Sequence, residues 1–357
     1  MSIVWKLKRI SAMDWRELHF RLTRAGAEKL QGMGLLLARP TEPGGGIGHF
    51  WVERPPRRFD TSAYLASADR ILAGKFQVFS LRDASLGFPP KWNTDPKTGI
   101  EVPLVFGKAI DYRDERIVGD IKYLWEPNRH LELVRLAQAW HLARDRRYAD
   151  GARRLLKSWF DQCPYPLGIN WTSSLEHGIR LINWSVAWHL LGGEGSAVFE
   201  GEEGARFKAD WLRSIFQHCH FIAGHLSRHS SANNHLLGEL AGLLVGSLTW
   251  PLWKESSAWS RLAHREFEEQ SLLQTFPDGV NREQATWYHH SVADLMLIAG
   301  LVCRANGRDF SIGFWRRLEA MCEFIASCMD VNGNMPGFGD ADDGVAVRWS
   351  PSGDFDV

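Results

Sequence analysis

The sequence carries no excess of charge of either sign: 42 Lys and Arg residues balance 42 Asp and Glu residues among 357 positions. This balance removes the main electrostatic argument for a nucleic-acid binder, so we expect no nucleic-acid partner. Long apolar runs are also missing. The longest, such as Leu295–Cys303, are far shorter than the roughly 18–20 residues that a membrane span needs, and no transmembrane segment is predicted.

Cysteines and cofactor motifs are equally sparse. The five cysteines show no CxxC spacing, which excludes a disulfide framework or a zinc knuckle and predicts mostly buried thiols. His225 and His229 form an HxxxH pair without the acidic partner of a zinc-protease motif, so no metal site is predicted. There is no P-loop, no esterase elbow and no dinucleotide fingerprint after a strand, and we predict no cofactor.

The N-terminus is basic but lacks the apolar segment of a signal peptide, so the sequence taken alone predicts a cytoplasmic protein. Residues 40–56 contain eight Gly or Pro and indicate a linker or an extended loop. We therefore expect residues 1–58 to form an N-terminal basic helix followed by a Gly/Pro-rich linker.

Tryptophan is what the sequence has in excess, with 17 residues. Many of them stand beside polar residues, and flat aromatic faces with polar rims suit the apolar faces of sugar rings. The alternative is that tryptophan fills a helical core, where it buries a large area. We expect most of these side chains in the core and a minority along a groove.

Helical periodicity dominates the chain from about residue 126, where at least seven apolar-periodic segments alternate with Gly-, Pro- or Asp-containing connections. No fixed-period repeat is present. The pattern predicts a mainly α fold, an (α/α) toroid of antiparallel helix hairpins over residues 59–335. Residues 336–357 are rich in Gly, Pro and Asp and contain a short β-like run. They predict the beginning of a truncated β-sandwich domain, the start of a C-terminal β-sheet domain.

Residues 230–235, SSANNH, form a helix-start signal before a leucine-rich segment. Asn234 and His235 would then occupy the first turn, where the positive end of the helix dipole favours an anionic ligand group. The structural alternative is that one asparagine caps the helix and His235 bonds Glu239 at i+4. A single cap does not require two asparagines and a histidine, so both interpretations stay open.

A second polar cluster spans residues 276–290, FPDGVNREQATWYHH. Asn281 and Gln284 match a capping box, which predicts a helix that starts there. Tyr288 would lie on the same helix face as both residues. A tyrosine on an amphipathic helix is more often a half-buried packing residue than a catalyst, so spacing alone assigns it no chemistry.

Together, SANNHLLGE and DGVNREQATWYHH resemble the heparinase II/III family of polysaccharide lyases. Further similarity comes from WEPNRHLELVRLAQAWHLARDRRYA, GINWTSSLEHGIRLINW and GFGDADDG, and the resemblance covers residues from about 60 to 345. The family joins an N-terminal α/α toroid to C-terminal antiparallel β-sheet domains. The resemblance thus implies a toroid, a bacterial polysaccharide lyase and a location in the cell envelope or periplasm.

The resemblance implies cleavage of uronic-acid polymers by β-elimination, with an acidic polysaccharide as partner. Asn234 and His235 would neutralise the uronate carboxylate, and Tyr288 matches the family's catalytic tyrosine, acting as base and acid. We expect eight residues to bind substrate: Asn128, Arg129, Asn170, Trp171, Glu176, Arg180, Glu283 and His289.

Two other functions remain open. An α/α-toroid glycoside hydrolase would use two carboxylates from Glu176, Asp278 and Glu283. A non-catalytic glycan-binding or surface-polysaccharide assembly protein needs neither set. The family takes a further catalytic histidine from its β domain, and we expect this chain to end before such a domain forms. We therefore expect weak activity and a disordered or loosely docked tail from Val345 to Val357.

Overall fold

The computed structural model describes residues 13–52, 60–79, 81–340 and 344–351. The parts of the sequence predictions that concern residues 1–12, 53–59, 341–343 and 352–357 lie outside the described residues. The first half of the chain forms helices α1 (Trp15–Gly32) and α2 (Ser62–Leu72), an antiparallel hairpin of β1 (Lys75–Val78) and β2 (Leu81–Ser85), and helices α3 (Glu115–Val118) and α4 (Ile121–Asn128).

Eight longer helices then alternate between an inner and an outer layer. They are α5 (Leu131–Ala143), α6 (Arg146–Gln162), α7 (Ser174–Leu190), α8 (Gly201–Gly224), α9 (Asn234–Thr249), α10 (Ser256–Gln274), α11 (Thr286–Ala305) and α12 (Ile312–Cys328). Helices α5, α7, α9 and α11 pack against one another in that order and form the inner layer, while α6, α8, α10 and α12 lie outside them. The predicted mainly α toroid of helix hairpins is confirmed.

This alternation makes the inner helices parallel, because each antiparallel outer helix returns the chain to the same end. The backbones of helices α7 and α9 approach each other closely at three glycines. A Cβ on Gly178 would lie 2.4 Å from the carbonyl oxygen of Gly238, and one on Gly242 would lie 2.1 Å from Cα of Gly178. Only glycine permits this backbone approach. The N-termini of the inner helices therefore gather at one face of the toroid.

Tryptophan mostly fills the core, as the composition predicted. Trp159 lies at its centre, where its ring contacts Trp171 and Trp184 within 6.3 Å between centroids. Other tryptophans with less than 2% exposure include Trp92, Trp188, Trp211 and Trp250. Their indole rings bury large areas in the core.

The start of α11 differs from the sequence prediction. A helix was expected from Asn281, but α11 begins at Thr286 and its N-cap, Ala285, makes no side-chain capping bond. Asn281 instead pairs with Thr275 in an isolated bridge, and Gln284 has a left-handed φ of 53°. These extended and left-handed backbone conformations exclude the capping box, so the face shared by Asn281 and Tyr288 does not form.

The segment of residues 344–351, called the tail, packs firmly on the toroid. Ala346 and Val347 are buried, and the carbonyl oxygen of Ala346 accepts a 2.8 Å hydrogen bond from Nδ2 of Asn183. Arg348 lies 3.2 Å from a carboxylate oxygen of Glu126. The expectation of a loosely docked tail is therefore wrong for these residues. They form no strand, and a β domain beginning near residue 336 stays a prediction.

In the part of the chain that the structure describes, no helix is both long and apolar enough to cross a membrane.

Candidate functional site

A pocket opens at the face where the N-termini of the inner helices gather. Arg129 precedes α5, Asn234 begins α9 and Tyr288 lies in the first turn of α11, and all three line this pocket. The other described lining residues are Leu175, Ile179, Ser291, Leu295, Gly344, Val345 and Ala346. Three polar side chains that are far apart in sequence thus meet, because the inner helices are parallel and start at the same face of the toroid.

Arg129 is held by two carboxylates on the side away from the pocket. Its Nε and Nη2 donate to the two oxygens of Glu176, at 2.9 Å each. Its Nη1 donates to Glu126 at 3.1 Å. Glu176 is only 2% exposed, and a bidentate pair of this kind fixes the plane of the guanidinium group. Glu176 therefore orients the guanidinium group of Arg129, although Glu176 itself does not line the pocket.

Asn234 is fixed by Glu283 rather than by the helix cap. Its backbone N–H and its side-chain Nδ2 donate to the two oxygens of Glu283, each at 2.7 Å. The cap itself is Asn233, whose side chain accepts from the backbone N–H of His235 at 3.0 Å. The two neighbouring asparagines therefore have different roles: Asn233 caps the N-terminus of α9 and Asn234 lines the pocket. Glu283 is oriented in turn by Asn281, whose side chain accepts from its backbone N–H at 2.9 Å.

Tyr288 shares its helix face with Ser291 and Leu295, which follow at i+3 and i+7. Leu295 is buried, and together with Leu175 and Ile179 it gives the pocket an apolar wall. The Tyr288 side chain is half-buried. Its ring thus packs at the edge of an apolar wall while it remains in reach of a ligand.

Asn128, Asn170, Trp171 and Arg180 were predicted to bind substrate, but the structure places them in the core. Asn128 is 1% exposed, donates to the carbonyls of Trp92 and Leu124, and accepts from Trp159 Nε1. Such a side chain has its hydrogen-bonding capacity filled by the protein. Asn128 and Arg180 brace the segment that carries Arg129, and none of the four residues lines the pocket.

Arg180 is the centre of this buried network. Its Nε donates to Nε2 of His218 at 2.9 Å, and its Nη2 donates to the carbonyl oxygen of Asn170 at 2.8 Å. Trp171 donates from Nε1 to the carbonyl oxygen of Cys163 at 3.0 Å. Burial lowers the pKa of Arg180 to about 10. Burial, with the nearby Arg180 charge, also holds the pKa of His218 well below 6.5, so this histidine is a neutral acceptor.

The two remaining predicted histidines lie outside the pocket lining. His235 is exposed on the first turn of α9. His289 is 2% exposed; its Nδ1 accepts from the backbone N–H of Asn281 at 3.4 Å, and its Nε2 lies 3.1 Å from the carbonyl oxygen of Met321. Because Nε2 must donate to a carbonyl, His289 is a neutral structural residue, and burial lowers its pKa.

Sequence reasoning did not identify Ser291 or the tail as parts of the pocket. Ser291 follows Tyr288 by three residues on a helix, a spacing that would have found it. Nothing in the sequence near Gly344–Ala346 indicates that this segment folds back over the toroid. Among the described residues, no group of three or more His, Cys, Asp or Glu side chains is arranged to hold a metal ion.

The arrangement favours an anionic group in the pocket. The first turns of α7, α9 and α11 contribute Leu175, Asn234 and Tyr288, so the positive ends of these helix dipoles lie at the pocket. Asn234 adds an amide donor and the apolar wall excludes water on one side, while the charge of Arg129 is already offset by Glu176 and Glu126. The pocket therefore combines anion recognition with one phenol that can transfer a proton.

Comparison with known proteins gives the same family at sequence level. Residues 92–350 match the family model for the heparinase II/III N-terminus. A heparin-sulfate lyase from Bacteroides stercoris is 22% identical over 260 residues, which cover 68% of this chain and 38% of the relative. A heparin-sulfate lyase from Pedobacter heparinus is 26% identical over 137 residues, covering 38% of this chain and 20% of the relative. The chain thus spans well under half the length of either relative.

Solved structures support the same fold. Heparan sulfate lyase HepC from Pedobacter heparinus superposes with a TM-score of 0.58 at 20% identity, covering 91% of this chain and 46% of that chain. A heparinase III structure gives a TM-score of 0.58 at 18% identity, covering 76% and 39%. Because the family model matches most of the chain, the protein belongs to the heparinase II/III family.

Proposed function

We propose that this protein is a polysaccharide lyase that cleaves uronic-acid-containing polymers by β-elimination. The observation that carries the proposal is the convergence of Arg129, Asn234 and Tyr288, from the starts of three inner-layer segments, on one pocket. The named relatives are heparin-sulfate lyases, which supports the reaction class. The resemblance to the family further leads us to propose the cell envelope or periplasm as the place of action.

The reaction begins with a proton that is hard to remove. The C5 proton of a uronate lies next to a charged carboxylate, and the charge must be offset before the proton becomes acidic. In the proposal, the Asn234 amide donates to the uronate carboxylate, and the helix N-termini add positive potential. Glu283 fixes the amide in advance, so little reorganisation accompanies the reaction.

Tyr288 carries the proton in this mechanism. As the phenolate it takes the proton from C5, the electron pair forms the C4–C5 double bond, and the C4–O bond breaks. The same phenol then gives its proton to the leaving glycosidic oxygen, which returns Tyr288 to the phenolate. Base and acid on one side of the sugar correspond to a syn elimination. Ordinary tyrosine has a pKa of about 10, so the positive pocket must stabilise the phenolate.

His235 does not line the pocket, and we propose that it contacts the polymer outside the pocket. It is exposed one residue beyond Asn234, where a polymer extending past the pocket reaches it. Glu283 is a positioning residue for Asn234, and Glu176 has the same part for Arg129. The proposal gives His289 no contact with substrate, since its ring is enclosed by protein.

The hydrolase alternative needs two carboxylates that flank the scissile bond. Among the described residues, the pocket lining contains no carboxylate. Glu176 has both oxygens engaged with Arg129, and Glu283 has both engaged with Asn234. The positions of these carboxylates therefore favour elimination over hydrolysis.

A product assay on a panel of uronate polymers tests the proposal. New unsaturated ends, measured by ultraviolet absorbance and confirmed by mass spectrometry, are the expected result. Reducing ends without this absorbance would mean hydrolysis. Binding of a polymer without either product would mean a non-catalytic glycan-binding protein. Either of these last two results would overturn the proposed lyase.

A further inference from the structure

A second pocket is also lined by residues of the tail, Arg348 and Pro351. Its floor is formed by Glu132 and Arg135 of α5 and by Arg348 of the tail, and its rim by Arg70 of α2 and Lys75 of β1. Arg135 is 4% exposed and Arg348 has a 12% exposed side chain. More than half of the Arg70 side chain is exposed. The pocket thus has buried cations below and accessible cations above.

Positive charge exceeds negative charge in this pocket. Four cations face one carboxylate, that of Glu132, which lies 3.8 Å from Arg348. The nearest other acids are outside the lining: Asp83 lies 3.7 Å from Arg70, and Glu126 is shared between Arg348 and Arg129.

The buried groups show the effect of this crowding. Burial raises the pKa of Glu132 to about 7, which leaves its charge incomplete near neutral pH. Burial and the neighbouring Arg348 charge lower the pKa of Arg135 to about 10. Like charges in a desolvated site repel each other strongly, and an added anion relieves that repulsion.

The second pocket is close to the first. Gly344–Ala346 line the first pocket and Arg348 lines the second, and two residues of chain separate their Cα atoms by at most about 7 Å. Glu126 joins the two pockets directly, because it accepts from Arg129 on one side and from Arg348 on the other. The two pockets are therefore close enough to contact neighbouring sugars of one polymer chain.

We propose that the second pocket binds an oxyanion group, a sulfo or carboxylate group, on a sugar that neighbours the uronate in the first pocket. Guanidinium forks recognise both groups by paired hydrogen bonds. The inference rests on the proposed lyase function and narrows it to polymers with a second anionic group near the cleaved bond. The residues responsible are Arg70, Lys75, Arg135 and Arg348.

Binding calorimetry in the Tyr288→Phe background tests this inference without cleavage. The rim variant R70Q/K75Q removes two accessible charges, and R153Q/K157Q on α6 removes two charges outside the lining of this pocket as a matched control. Heparin-derived oligosaccharides, the same oligosaccharides after chemical desulfation, and sodium sulfate are the probes, all at one ionic strength. We expect the rim variant to bind the sulfated oligosaccharide about tenfold more weakly and the control to bind as the parent does.

The desulfated probe identifies the group. If the loss in the rim variant disappears with it, the pocket reads a sulfo group; if the loss persists, the pocket reads a carboxylate. Equal losses in the rim and control variants would overturn the inference, as would loss of sodium sulfate binding with unchanged oligosaccharide affinity. Arg135→Gln, checked for folding by circular dichroism, is a second variant that should also bind the oligosaccharide more weakly. Product formation by the unmodified protein is measured separately, so failure of the lyase proposal remains distinguishable.

Discussion

Glu283 holds Asn234 at two points, with its carboxylate oxygens 2.7 Å from the backbone nitrogen and 2.7 Å from the side-chain amide nitrogen. The two residues are 49 positions apart and lie on different segments, a loop before α11 and the first residue of α9. This contact ties the start of one inner helix to the loop that leads into the next. It fixes the amide that we assign to the uronate carboxylate.

Asn234→Ala should lower turnover by roughly 10²–10³, the usual effect of removing one preorganised donor. Asn233→Ala is the matched control, because it removes the neighbouring cap instead. That variant should lose about 1 kcal/mol of stability and keep its turnover per folded molecule. Steady-state kinetics and thermal unfolding of both variants make the comparison. Normal kinetics for Asn234→Ala would remove Asn234 from the mechanism.

Glu283→Gln should lower kcat by up to about 10² while polymer affinity changes little, because a misplaced donor affects the reaction more than binding. The amide of glutamine cannot accept both hydrogen bonds from Asn234. The double variant N234A/E283Q should be no slower than Asn234→Ala alone. Additive losses in this double-mutant cycle would show that Glu283 acts independently of Asn234.

Tyr288→Phe should reduce turnover by about 10²–10⁴, the range attributed to general acid–base groups, with polymer binding retained. The ring continues to pack on the apolar wall, and only the proton carrier is lost. Tyr123→Phe in α4 is the control, since it removes a hydroxyl outside the pocket lining. Near-full activity of Tyr288→Phe would remove the tyrosine from the mechanism.

The stability of the protein should fall as the pH drops below about 6.5. Burial holds the pKa values of His130, His177 and His218 well below 6.5. Below pH 6.5 the unfolded chain therefore binds protons that the folded chain does not bind. Each such histidine lowers the free energy of unfolding by about 1.4 kcal/mol per pH unit there. This loss continues down to the folded pKa, and no contribution from these groups remains above pH 6.5.

His218→Gln tests this linkage at one site. Glutamine retains an acceptor for Arg180 but does not titrate. The slope of unfolding free energy against pH, measured by urea denaturation between pH 4.5 and 6.5 at intervals of about half a unit, should decrease by about one proton. An unchanged slope would mean that His218 is protonated equally in the folded and unfolded states.

Gly242→Ala should destabilise the toroid by about 1–3 kcal/mol or more, because the new Cβ would meet the backbone of Gly178 at 2.1 Å. Gly26→Ala in α1 is the control, since no atom lies within 4 Å of its added Cβ. Alanine there should stabilise the helix by up to about 1 kcal/mol. Equal behaviour of the two variants would contradict the close packing of α7 on α9.

The fold class was readable from the sequence because helical periodicity is local. Apolar residues at three- and four-residue spacing define each helix, and the loops between them allow only antiparallel neighbours. The helix-start signal at Asn233 and Asn234 was equally local, and α9 begins at Asn234 as it indicated. The start of α11 was misread because a strand-like bridge at Asn281 and a left-handed Gln284 outweigh a capping pattern.

The sequence by itself determined the helices, the toroid and a family resemblance that included Arg129, Asn234 and Tyr288. Only the tertiary structure decided which polar residues face the pocket. Asn128, Asn170 and Arg180 have the composition of a binding site, yet they are buried in the core, where Asn128 and Arg180 donate to backbone carbonyls. The hydrogen-bond partners of buried polar groups are often distant in sequence. Packing decides which groups meet, so a local sequence pattern does not reveal them.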